Sequence, residues 1–130
     1  MTPASTAKPS TSLPLSPDAN QAAALATYNG ILTVDLDAIV ANWCKLEKTA
    51  VPAECCAVIK ANAYGCGIEP VAKALFAAGC KTFFVATLEE ARAARAAVPQ
   101  AVIYSLNGFF QNTGEAYAKI DCRPVIGELV

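Results

Sequence analysis

A chain of 130 residues is long enough for one ordinary domain, and its 55% apolar content can supply a buried core. Ten basic and eleven acidic residues leave a net charge of −1 with no basic block, which argues against a surface built for nucleic acid or an anionic membrane. No apolar run approaches the roughly 18–20 residues of a membrane span, and the absence of histidine removes the commonest general base and metal ligand at neutral pH.

Residues 1–29 differ in composition from the rest of the chain. Thr, Ser, Pro and Ala dominate, four prolines fall within residues 2–17, and no hydrophobic period is present. This composition reads as a disordered tail. With one lysine, no arginine and no secretory h-region, it does not read as a targeting peptide.

Regular elements begin at Ile31. The β-branched alternation of Ile31–Leu36 predicts a strand. Asp35 or Asp37 is placed to cap a helix whose apolar stripe runs through Ile39, Val40, Trp43, Cys44 and Leu46 to about Lys48, before Pro52 breaks it. Cys55–Ile59 is a second strand. Glu69-Pro70 opens a helix with Val71, Ala74, Leu75 and Ala78 on one face, and Gly79 terminates it. Lys81–Ala86 is a third strand, and Thr87-Leu88-Glu89-Glu90 has the form of a capping box. An alanine-rich helix then runs to Val98. Ala101–Leu106 is a fourth strand, Thr113–Lys119 a short helix, and Pro124–Ile126 a fifth strand.

From Cys55 onward the strands start near 55, 82, 101 and 123. The mean step is about 23 residues, one strand plus one helix, so the fold class is α/β. The continuous apolar runs point to parallel strands covered on both faces. A closed (β/α)8 barrel needs about 250 residues, so these four units form either a small doubly wound sheet or a piece of a barrel.

Six cysteines, Cys44, Cys55, Cys56, Cys66, Cys80 and Cys122, form no C-x-x-C pair. They read as reduced thiols of an intracellular, cytoplasmic protein rather than as a zinc site or a disulfide scaffold.

The chemistry-bearing segment is Val58-Ile59-Lys60 followed by Ala61-Asn62-Ala63-Tyr64-Gly65-Cys66-Gly67. A lysine at the C-terminal end of a parallel strand lies where barrels and doubly wound sheets build their sites. Burial disfavours an ammonium, which is the condition for an amine that attacks a carbonyl. Gly65 and Gly67 permit positive φ or a close ligand approach, and the Tyr64 hydroxyl can donate to an anion. An amine beside an anion-binding loop suits a cofactor that carries an aldehyde and a phosphate. The same residues are also compatible with a solvated strand terminus, a turn and a packing tyrosine.

Val58-Ile59-Lys60-Ala61-Asn62-Ala63-Tyr64-Gly65 resembles the pyridoxal-phosphate attachment signature of bacterial alanine racemases. Val34-Asp35-Leu36-Asp37-Ala38-Ile39, Phe84-Val85-Ala86-Thr87-Leu88-Glu89-Glu90-Ala91 and Tyr104-Ser105-Leu106-Asn107-Gly108 resemble further segments of that family, in the same order. The resemblance implies that residues 30–130 are the N-terminal portion, about half, of a (β/α)8 barrel. It also implies that the strand Ile31–Leu36 pairs with a C-terminal β domain. The cofactor would be pyridoxal 5'-phosphate, held covalently by Lys60, which would also act as one of two bases. Tyr64 would bond the cofactor phosphate, and Leu106 would pack near the cofactor. The implied activity is interconversion of L- and D-alanine, which supplies D-alanine for peptidoglycan, in a homodimer that binds no metal.

Cys66 departs from the family pattern, which commonly has histidine there. The resemblance places the pyridine-facing arginine, a stacking histidine, most of the phosphate loop and the opposite-face tyrosine beyond Val130. The 130 residues alone are therefore expected to be inactive and marginally stable. The alternatives are a stand-alone protein that binds pyridoxal phosphate without racemase turnover, and an interaction module in which Lys60 is incidental.

Overall fold

The computed structural model describes residues 26 and 28–127, in two units that divide after Thr33. The expected tail lies almost entirely outside the described residues. The second unit contains four helices, α1 (Leu36–Ala50), α2 (Ile68–Ala77), α3 (Leu88–Ala97) and α4 (Gly114–Lys119). They alternate with four strands, β1 (Ala57–Val58), β2 (Thr82–Val85), β3 (Val102–Ser105) and β4 (Cys122–Pro124).

The strand expected at Ile31–Leu36 carries no ladder. A strand is stabilised by pairing, and residues 31–35 have no such partner among the described residues. Leu36 instead opens α1, because the extended Asp35 accepts the Ala38 N–H on its carboxylate at 2.9 Å. On α1, Leu36, Ile39, Val40 and Trp43 pack against the core, while Leu46 is 62% exposed. The Trp43 indole N–H donates to the Cys55 carbonyl at 3.0 Å and ties α1 to the start of β1.

The other helix boundaries reflect local signals. Pro70 sits in the first turn of α2, where a missing N–H costs nothing. Gly79 at φ +114 ends α2 in a Schellman arrangement, with Cys80 N bonded to Leu75 O and Gly79 N to Phe76 O. Thr87 and Glu90 form both halves of the capping box at α3. The last strand is Cys122–Pro124 rather than Pro124–Ile126. Its ladder pairs Cys122 with Ile103, Arg123 with Tyr104 and Pro124 with Ser105, and Val125 N–H donates to the Ser105 carbonyl just beyond it.

All strand pairs are parallel, and their spatial order equals their sequence order, β1-β2-β3-β4. A doubly wound sheet would reverse order at a switch point, so this is the single winding of a barrel segment. The two faces confirm it. Ala57, Phe83, Val85, Ile103, Ser105 and Cys122 point to one side and are buried in the core with residues of the helices. Val58, Phe84, Tyr104 and Arg123 form a row on the other face, where coverage is incomplete. In that row Phe84 and Tyr104 stack at 5.0 Å, and the Arg123 guanidinium lies 5.6 Å from the Tyr104 ring centre. Helices thus cover one face of these four strands, and the face that a closed barrel would turn inward is open among the described residues.

Arg95 of α3 fastens the N-terminal strand ends. Its guanidinium donates to the carbonyls of Pro99 at 2.8 Å, Ala101 at 2.7 Å, Ile120 at 2.9 Å and Asp121 at 2.9 Å. Replacement by methionine keeps the apolar stem and strands these acceptors. Arg95→Met should lower unfolding stability by about 2–3 kcal/mol. Arg95→Lys should recover less than half, because an ammonium lacks the planar fork. Urea midpoints measure both.

The six cysteines are free, with Cys80 and Cys122 buried and the others half-buried. Burial pushes the Cys80 thiol up to about 11, from an ordinary value of 9.0. The folded state therefore favours the protonated thiol. Its contribution is complete below about pH 9 and is lost as pH rises toward about 11, to the extent of about 2 kcal/mol. The fall in urea midpoint across this window should be shallower in Cys80→Ala than in the wild-type chain.

Candidate active site at the C-terminal strand ends

Ile59 extends β1 by donating its N–H to the Phe84 carbonyl at 2.8 Å, and Lys60 comes immediately after it. The parallel register pairs Val58 with Phe84, Phe84 with Tyr104 and Tyr104 with Arg123. Carried two residues further along β2, β3 and β4, it puts Ala86, Leu106 and Val125 in the next row of the same open face, while β1 ends at Ile59 (φ −121°, ψ 22°), whose carbonyl accepts Ala63 N–H, and Lys60 follows at that strand end. Leu106 N bonded to Val85 O and Val125 N bonded to Ser105 O, both within 3.0 Å, hold that register. Lys60 is half-buried and Leu106 is 38% exposed. The two sequence-predicted residues thus both lie at the C-terminal end of the sheet.

Tyr64 is placed by an unusual backbone. Lys60–Tyr64 form one helical turn, in which Ala61, Asn62, Ala63 and Tyr64 have φ of +52°, +54°, +53° and +54°. This is the left-handed region, which costs about 1–2 kcal/mol per residue with a side chain. The turn is held from several directions. Ala63 N–H donates to Ile59 O at 2.9 Å, and Gly65 N–H to Ala61 O at 3.0 Å. Asn62 Oδ1 accepts the Ile68 N–H at 3.0 Å, and its backbone carbonyl accepts Gly67 N–H at 2.9 Å. Gly65 and Gly67, at φ +89° and +93°, supply the positive φ expected of them. Tyr64 itself is 64% exposed. Cys66 packs against the core as a small apolar residue.

Glu90 is the residue whose reach sequence reasoning missed. Its Oε2 accepts Ala86 N–H at 2.8 Å and Thr87 N–H at 3.3 Å, and its Oε1 accepts Ala61 N–H at 2.7 Å. The capping box revealed its role at α3, but no local pattern signals a bond to a residue 29 positions earlier. The β3–α4 loop has its own tether, with the buried Tyr117 hydroxyl donating to the Gly108 carbonyl at 2.9 Å. Ser105 Oγ donates to the Ala86 carbonyl at 3.1 Å and ties the ends of β2 and β3.

A cavity of about 380 Å³ lined by Trp43, Glu54, Cys55 and Lys81 lies at the opposite, N-terminal strand ends. In barrel folds, residues at that face act in stability rather than chemistry. Among the described residues no cluster of His, Cys, Asp or Glu could hold a metal ion, and no helix is long and apolar enough to cross a membrane.

The family model described as alanine racemase, N-terminal domain, matches residues 34–130. The chain belongs to the alanine racemase N-terminal domain family. Alanine racemase of Methylobacterium nodulans is 53% identical over 104 residues, 80% of this chain and 28% of that protein. The Brucella ovis alanine racemase is 42% identical over 119 residues, 91% of this chain and 29% of that protein. The crystal structure of the Bartonella henselae enzyme, with covalently bound pyridoxal phosphate, superposes with a TM-score of 0.67 at 47% identity. That superposition covers 70% of this chain and 26% of that one. The Pseudomonas aeruginosa biosynthetic alanine racemase gives 0.64 at 38% identity, over 68% and 25%. The chain thus spans a little over a quarter of the length of its curated relatives, and its parallel sheet is the first part of their barrel domain.

Proposed function

We propose that this chain contributes the cofactor-bearing lysine of an alanine racemase. The observation that carries the reading is Lys60 at the C-terminal end of β1, at the same end of the sheet as Leu106, and followed by a strained turn that ends at Tyr64. The donor set fits pyridoxal phosphate. Lys60 offers a primary amine for its aldehyde, Tyr64 an exposed hydroxyl for its phosphate, and Leu106 an apolar surface for its ring. The relative from Bartonella henselae holds this cofactor covalently.

Bound pyridoxal phosphate would supply an electron sink for the negative charge left when the α-proton of alanine departs. The part played by this chain is to hold the group and move the proton. Lys60 Nζ, released when the substrate amine takes its place on the cofactor, would accept or return the proton at the alanine Cα on its own face. Tyr64 would anchor the phosphate by one hydrogen bond, and Leu106 would limit tilting of the ring. Inversion requires a second acid–base group on the opposite face of Cα. That group would lie outside these 130 residues, in a protein that acts on L- and D-alanine as a homodimer and supplies D-alanine. The domain would begin near residue 30.

Pyridoxal phosphate added to the full chain should produce visible imine absorbance, and borohydride should fix the adduct on Lys60. Lys60→Ala should abolish it. Tyr64→Phe should raise the half-saturating cofactor concentration about tenfold, the loss of one hydrogen bond to a charged group. The 130 residues alone should give no D-alanine above background. An adduct confined to surface lysines such as Lys73 would refute the reading.

A further inference from the structure

We propose that Glu90 is a positioning residue for Lys60, its carboxylate clamping the left-handed turn to the ends of β1 and β2 and thereby setting where the Lys60 amine stands. The part of this inference that concerns the amine rests on the cofactor reading above. The clamp itself rests on backbone geometry alone.

A capping box needs only one oxygen of its glutamate, directed at the N-cap N–H. In this chain that bond, Oε2 to Thr87 N, is the longest of the three at 3.3 Å. The two short bonds go elsewhere, to Ala86 N at 2.8 Å at the end of β2 and to Ala61 N at 2.7 Å at the start of the turn. The carboxylate therefore joins the turn that follows β1 to the residue that follows β2. Hydrogen bonds to an ionised carboxylate are roughly twice as strong as neutral ones. They are spent at the first of four consecutive residues in a disfavoured conformation. Ala61 has no polar side chain with which to fix itself. The remaining bonds of the turn are donated by its later residues, Ala63, Gly65, Cys66 and Gly67, and the one that reaches Ala61, from Gly65 N–H to its carbonyl, stays within the turn and its exit. Glu90 is the group that joins the residue after Lys60 to a neighbouring strand and helix.

The chemistry of the clamp makes it testable by an isosteric change. A carboxylate accepts at both oxygens, whereas a carboxamide accepts at one and donates at the other. In Glu90→Gln one of the two anchored N–H groups would therefore face an NH2. Glu90→Asp keeps the charge but is one methylene too short to span both strands. Thr87→Ala removes the other half of the capping box without touching Ala61.

Amide hydrogen exchange on the full chain reads the clamp without any cofactor, with the β2–β3 ladder amides as the measure of an intact fold. Relative to those amides, Glu90→Gln should speed exchange by about tenfold or more at Ala61 or at Ala86, whichever faces the NH2. Glu90→Asp should do the same, and Thr87→Ala should leave Ala61 protected. With pyridoxal phosphate present, borohydride trapping on Lys60 should need about tenfold more cofactor in both Glu90 variants, and an unaltered amount in Thr87→Ala. Unchanged exchange at both Ala61 and Ala86 in Glu90→Gln overturns the proposal, as does rescue of either readout by Glu90→Asp. Faster exchange with unaltered trapping overturns the positioning of the amine. A wild-type chain in which Lys60 is never trapped refutes the cofactor reading instead, and exchange at Ala61 and Ala86 still decides the clamp.

Discussion

The site depends on one backbone constraint. Immediately after the strand that carries Lys60, four residues with side chains adopt positive φ in succession. Such residues visit this region singly in most proteins, and a run of four persists only where the surroundings over-determine it. Here the surroundings are identifiable. Glu90 holds the turn at its first residue, the Asn62 side chain holds the start of α2, and Gly65 and Gly67 let the chain leave without further strain. Ala63 is buried against the core, so the turn is also pinned by packing. Relaxation to an ordinary conformation would break the charge-assisted bonds and expose that side chain.

The sheet makes the constraint useful. Helices cover one face of the four strands, and the row that holds Leu106 lies on the other. Helix-side packing around Phe83, Val85 and Ile103 is nearly complete, with none of the three exposed to solvent. That side can carry the stability of the unit, and the open side can hold groups chosen for chemistry. Arg95, Trp43 and Tyr117 add bonds to backbone carbonyls around this frame. Such bonds limit how far the strand ends can move, and the position of Lys60 is only as firm as those ends.

Much of this organisation was legible in the sequence because the signals were local. The capping box at Thr87 and Glu90, the terminator at Gly79 and the strand ending in Ile59 each lie within a few residues of the structure they specify. The alternation of strand and helix gave the fold class, and a motif resemblance selected the barrel over a doubly wound sheet. Non-local features could not be read in the same way. The pattern of Ile31–Leu36 is that of a strand, but pairing is a property of two segments and no partner stands among the described residues, so the local carboxylate of Asp35 fixes only where α1 begins. The covering of a single face depends on where the helices cross, which an apolar run such as Phe83-Phe84-Val85 does not record. The left-handed turn carries no such signal, because glycine is the usual mark of positive φ and the turn uses Ala, Asn and Tyr.

The choice of residues in that turn has its own logic. If residues 60–64 were extended, the Cα atoms of Lys60 and Tyr64 would stand up to about 13 Å apart. One helical turn separates them by about 6 Å along its axis. On the proposed reading, a hydroxyl and an amine that serve opposite ends of one small cofactor need the shorter spacing. Glycine at all four positions would remove the strain, but it would also delete the phenol and add chain entropy in the unfolded state. On that reading Tyr64 must keep its side chain for the phosphate, and Asn62 must keep the oxygen that accepts from Ile68. Strain is therefore retained where the side chains are needed and released at Gly65 and Gly67, where they are not. A turn assembled this way cannot hold itself. This explains why a carboxylate from the third helix, far away in sequence, is bonded to its first amide.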